Sequence, residues 1–318
     1  MEAKVNQVST FKGHEKAVRG VRLIPGGKQL LSCSADKTLK LWNIENGEAA
    51  RTFEGHTDAV HAVALTTDGK FAVSGSRDKN LILWDLQKSE PVRIFQGHSD
   101  AIHSVAVSRD GARVVSGSGD GSIKLWDMAS GGLIRTFECN LGWAWAVAFS
   151  PDGSHVFSGS WGKAVNLWDA ETGNAVRSFS GHSNDVHAVC FSSDGRQAVS
   201  AGDDKQVIIW DIETAEIVCK YEAHDNKVRA LTLSSDDKII ATGSVDKHLK
   251  LWEAGTGNRL FNSEALAAGV HCVDLTADNM MAAAGLDDGS IVLWQVEIIL
   301  PEPEPEETET GAGTEPAV

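Results

Sequence analysis

Residues 55–85 read GHTDAVHAVALTTDGKFAVSGSRDKNLILWD. Almost every feature of the architecture can be taken from this stretch and its copies. Val60, Val63 and Leu65 are apolar at a step of three and then two. Plain strand alternation has a step of two, so the pattern points to one extra residue in the strand, a β-bulge. Asp68-Gly69 is a turn signal, and Ala72-Val-Ser-Gly-Ser76 is a strand of small residues. A tight turn carries Asp78, a third strand ends at Leu83-Trp84, and Val92-Arg-Ile-Phe95 follows as a fourth.

The stretch recurs along the chain. Trp42, Trp84, Trp126, Trp168, Trp210, Trp252 and Trp294 lie a constant 42 residues apart, with no insertion or deletion between them. Six residues before each stands Asp36, Asp78, Asp120, Asp204, Asp246 or Asp288; the fourth copy has Gly162 instead. Gly13-His14, Gly55-His56, Gly97-His98 and Gly181-His182 open their units, with Ala223-His224 a near match. The apolar triplet returns as Val18, Val21 and Leu23, then as Ile102, Val105 and Val107. A fixed period in this range marks a repeat architecture, and four strands per unit make one blade.

These residues resemble the WD-repeat family over roughly residues 7–296. The resemblance implies an all-β, seven-bladed β-propeller with four-stranded antiparallel blades. Gln7-Val-Ser-Thr-Phe11 stands 42 residues before Ala49-Ala-Arg-Thr-Phe53, a fourth strand, while the last unit stops after its third strand at Trp294. The N-terminal strand is therefore expected to complete blade seven and close the ring. The expected organisation is a short lead at 1–6, the propeller at 7–299 and an acidic tail at 300–318.

A His with Asp, Ser and Trp at fixed spacing invites a hydrolase interpretation. The resemblance implies hydrogen-bonded structural tetrads instead, and recurrence round the ring is the mark of packing. Their His, Asp and Trp members are His14, Asp36 and Trp42; His56, Asp78 and Trp84; His98, Asp120 and Trp126; His182, Asp204 and Trp210; and His224, Asp246 and Trp252. Blade four departs with Asn140 and Gly162, and blade seven with Leu266 and Ala284. Departures from an internal rule are where function is often placed.

Aligning the repeats on one another isolates three columns that the resemblance places at the top face. Five residues after the His position stand Arg19, His61, His103, Trp145, His187, Arg229 and His271. Two residues earlier stand Ala17, Ala59, Ala101, Trp143, Asp185, Lys227 and Gly269. Just before the turn Asp stand Ala35, Arg77, Gly119, Trp161, Asp203, Val245 and Asp287. The protein has ten tryptophans; the three outside the repeat column, Trp143, Trp145 and Trp161, all fall here and all in blade four.

They form either an aromatic patch for a partner peptide, with Asp185 and Asp203 nearby to pair a basic side chain, or packing that replaces the lost clasp. Arg19, Arg229, Lys227 and the histidines form either a locally cationic side of the channel mouth or a merely solvated polar rim; the first is the expectation. A partner carboxylate or phosphate would dock there in a pH-sensitive way. No metal and no cofactor is expected, because no thiolate or carboxylate completes a ligand set at sequence spacing.

Formal net charge is −15, and residues 301–318 hold six glutamates and no Lys or Arg. An acidic surface argues against nucleic acid or anionic membrane as partner. No apolar run approaches the ~20 residues of a membrane span. Cys33, Cys139, Cys190, Cys219 and Cys272 are scattered, as in a reducing compartment, and a cytoplasmic setting is expected. The tail lacks the apolar content to offset its ordering entropy, so disorder is expected.

Together these features point to a non-enzymatic scaffold or adaptor that docks other proteins or peptides, as a monomeric propeller within a larger complex. One alternative is a regulatory subunit resembling the β subunit of a heterotrimeric G protein. A remote one is an enzyme whose His or Arg works at the channel mouth.

Overall fold

The computed structural model describes residues 1–88, 90–138 and 142–299. The acidic tail expected from residue 300 onward lies outside the described residues. Among them there is no helix: the strands form seven four-stranded antiparallel sheets arranged as the blades of a propeller. Blade two is representative, with strands Val60–Leu65, Phe71–Ser76, Leu81–Asp85 and Pro91–Phe95 in spatial order from the channel outward.

The small-residue strand exists because the next blade lies on it. A Cβ placed on Gly75 would come within 2.6 Å of Ile102 Cγ2 in blade three. Larger side chains fill the space between blades. Leu31, Leu39 and Phe53 of blade one share one buried cluster with Val60, Ala72 and Trp84 of blade two. Trp42, Trp84, Trp126, Trp168, Trp210 and Trp252 each meet an aromatic ring from the outer strand of the preceding blade. Phe53 and Trp84 are 5.7 Å apart, and Phe179 and Trp210 5.6 Å. Every blade thus buries its apolar face only against a neighbour, which is why the ring must close.

Closure is made by Glu2–Phe11, paired antiparallel with Ile291–Ile299 on the outer edge of blade seven. Inside that joint, Phe11, Val18, Leu30 and Trp42 pack with Cys272, Ala283 and Ile291. The strand begins earlier than its sequence boundary suggested. Residues 2–6, expected as a lead, pair with Gln295–Ile299 and prolong the ladder. Alternation explains the extension: Met1, Val5 and Ile298 turn inward on the cluster holding Val296, while Lys4 pairs with Glu297.

Candidate functional site

In every blade the innermost strand slips by one residue against its neighbour. The register jumps between Val18 and Gly20, Val60 and Ala62, Ile102 and Ser104, and Ala144 and Ala146. It jumps likewise between Val186 and Ala188, Val228 and Ala230, and Val270 and Cys272. The residues left unpaired are Arg19, His61, His103, Trp145, His187, Arg229 and His271, which is the first sequence column. A bulge re-aims its extra side chain. Here all seven line the central cavity of about 760 Å³.

The other two columns are joined by a backbone hydrogen bond in each blade. Ala35 N–H donates to Ala17 O at 2.9 Å, Trp161 N–H to Trp143 O at 3.0 Å, and Asp203 N–H to Asp185 O at 2.8 Å. Each blade therefore brings one residue from every column together at the same end.

The recurring polar sets lie beside this end and are closed on themselves. Trp84 Nε1–H donates to Ser74 Oγ at 2.8 Å, Ser74 Oγ is 2.7 Å from His56 Nε2, and His56 Nδ1 is 2.8 Å from Asp78 Oδ2. With the imidazole proton on Nδ1, every polar atom of the chain has a partner. The same links join His14, Ser32, Trp42 and Asp36, and His98, Ser116, Trp126 and Asp120. They recur with His182, Ser200, Trp210 and Asp204, and with Thr242 in place of serine between His224, Trp252 and Asp246.

Burial opposes ionisation of Asp246, but the hydrogen bond from His224 holds its carboxyl down at about 2. The hydroxyls of Ser32, Ser74, Ser116 and Ser200 belong to fully buried residues, so no substrate reaches them. Blade seven substitutes apolar packing: Leu266 joins the cluster of Ala284 and Trp294. Blade four keeps Trp168 Nε1–H on Ser158 Oγ at 2.9 Å, while position 140 lies outside the described residues.

Blade four instead carries a cluster of indoles. Trp143 and Trp161 meet edge-on with centroids 4.3 Å apart, and Trp143 and Trp145 are 5.7 Å apart. Trp145 reaches into the cavity between His103, at 4.2 Å, and His187, at 5.1 Å, and its indole N–H has no partner. Trp143 and Trp161 remain 38% and 46% exposed. Next to them, Gly162 N–H donates to Asp185 Oδ1 at 3.0 Å. Across blade five, Lys227 Nζ bonds Asp203 Oδ2. His187 Nε2 lies 2.7 Å from Asp203 Oδ1 but out of line for a hydrogen bond, so both atoms stay unpaired.

Residues 5–43, 47–85 and 89–127 each match the family model of the WD domain, G-beta repeat, and residues 143–300 match that of the IFT122 first beta-propeller. The chain belongs to the WD-repeat β-propellers. A stretch of 46 residues is also 39% identical to the nuclear distribution protein nudF of Aspergillus niger, over 14% of this chain and 10% of that protein. The match thus spans a small part of that relative's length.

Two expectations about this WD-repeat propeller's rim need correction. The channel histidines are not cationic near neutrality. Burial, with His103 and Arg19 adding repulsion, lowers His61 to about 4, and burial outweighs Asp100 to bring His103 to about 4. His271 falls to about 4 through burial and Arg19, against the pull of Asp287. Positive charge at the mouth therefore comes from Arg19, Arg229 and Lys227 alone among the column residues of blades one, six and seven.

The second correction concerns Asp203. Its side chain is buried and its Oδ2 is held by Lys227, leaving Asp185 as the more accessible acid beside the indoles. Column order alone placed Lys227 one blade on from Asp203, so this pair was discoverable. The unpaired His187–Asp203 contact was not, because it depends on side-chain angles.

Proposed function

We propose that this propeller is a non-enzymatic scaffold that docks a peptide or loop of a partner protein on its bulged face, centred on Trp143 and Trp161. The observation that carries the reading is the exposure of two indoles that already hold one another in place. Ordered aromatic rings lose little entropy on binding, and each offers large apolar area and one N–H. The uncommitted oxygen of Asp185 beside the rings favours a partner with Lys or Arg, whose cation would lie on an indole face and pair with the carboxylate.

The test is selection from a displayed peptide library, followed by calorimetry on the selected sequences. Peptides with a basic residue are expected, and Trp143→Ala/Trp161→Ala should weaken them by about 2 kcal/mol or more. Unchanged affinity in a double variant with a native melting curve would remove the patch as the docking site. Trp145 is left intact because it is wedged between two histidines.

A further inference from the structure

Blade five differs from every other blade in what surrounds its bulge residue. His61 has Ala59 and Arg77 in the neighbouring columns, His103 has Ala101 and Gly119, and His271 has Gly269 and Asp287. His187 has a carboxylate in both. One donor atom each from Asp185, His187 and Asp203 fall within 4.8 Å of one another, the only such set among the described residues.

The side chains of His187 and Asp203 are only 8% and 5% exposed. Their facing atoms, His187 Nε2 and Asp203 Oδ1, are buried and unpaired although 2.7 Å apart. Two buried polar atoms in contact with no proton in line between them are costly, and a cation coordinated by both would remove that cost.

We propose that Asp185, His187 and Asp203 bind a divalent transition-metal ion of the zinc class on the rim of the channel. One imidazole nitrogen and two carboxylate oxygens suit zinc, with bonds of about 2.0–2.2 Å. Calcium and magnesium ask for more oxygens and no imidazole. Small side-chain rotations suffice, since a tetrahedral ion holds its ligand atoms about 3.3 Å apart.

The surrounding contacts fit the role of supports that orient metal ligands. Gly162 N–H holds Asp185 Oδ1, leaving Oδ2 to coordinate. Lys227 holds Asp203 Oδ2, leaving Oδ1. Three protein ligands leave a fourth position, open to water or to a side chain of a partner. Lys227 and Arg229 also repel an ion, which keeps affinity moderate.

The site shares Asp185 with the docking proposal, but its test uses no partner and reads metal binding alone. The full chain, with thiols reduced, is titrated with zinc chloride by calorimetry and with cobalt(II) by visible absorption. One equivalent is expected to bind with the absorption of a low-coordinate cobalt site. His187→Ala and Asp185→Asn should each weaken binding more than about tenfold. Asp185 lies at the surface end of the set, so its variant folds and its melting curve checks this. Absence of a saturable equivalent in the native protein would overturn the site. So would native affinity in both His187→Ala and Asp185→Asn, which would move the ion to the thiols or elsewhere.

Discussion

The indole of Trp161 stands edge-on to that of Trp143, with centroids 4.3 Å apart, beside the 3.0 Å hydrogen bond that joins their backbones. Each ring is thus held by the other and by a fixed main chain. In a double-mutant cycle by urea denaturation, Trp143→Ala and Trp161→Ala should couple by about 0.5–1.5 kcal/mol. Strict additivity would mean that the rings are held by their backbones alone, and would leave the clasp of blade four unexplained.

Ser74 takes the N–H of Trp84 and faces His56 Nε2, so removing its hydroxyl strands two buried groups. Ser74→Ala should cost about 2–3 kcal/mol. The mirror experiment is Ala284→Ser in blade seven, where Leu266 stands in place of the histidine. It should destabilise as well, because the new hydroxyl meets an apolar side chain. Equilibrium denaturation of both variants tests whether the polar chain works only as a complete set.

Stability should fall on mild acidification through the buried channel histidines. His61, His103 and His271 have folded values of about 4 against an ordinary 6.5, so the unfolded chain binds protons first. Folding free energy is then level above about pH 7, declines from about 6.5 towards 4, and levels there as far as these groups are concerned. Below that range the depressed carboxyls, such as Asp246 at about 2, protonate and stability falls again. His103→Asn should flatten the first decline. Denaturation midpoints across pH 4–7.5 that are the same for both proteins would contradict this.

Gly285 of blade seven faces Val18 of blade one so closely that a Cβ would sit 2.5 Å from Val18 Cγ1. Gly285→Ala should cost about 1–3 kcal/mol through overpacking at the closing joint. Val18→Ala in the same chain should return part of that loss. Failure of the second change to help would place the strain on Cys272, whose Sγ is equally near.

Much of this was legible because the period carries no gaps. The step from Val60 to Val63 revealed the bulge, and aligned repeats showed which residue each bulge carries. The arrangement of Trp143, Trp145 and Trp161 at one end followed from column membership. Burial was not legible: nothing in the sequence shows that His61 and His103 are desolvated by one another and by the walls of a channel. Nor could spacing show that the Asp203 carboxylate faces Lys227 on one oxygen and His187 on the other. The early start of the closing strand was missed because Glu2 to Asn6 have no counterpart in the other units, whose fourth strands are shorter.

That closing strand also sets an order of events during synthesis. Phe11 and its neighbours leave the ribosome before any blade exists, yet their partners, Ile291 to Ile299, are almost the last described residues to emerge. Blades one to six can assemble on one another as they appear, since each needs only the blade beside it. The N-terminal strand meanwhile has no sheet to join and presents an unpaired edge until blade seven has been made. A nascent chain arrested within blade seven would therefore be an open horseshoe, with one unsatisfied strand at its leading end and a bare blade face at the other.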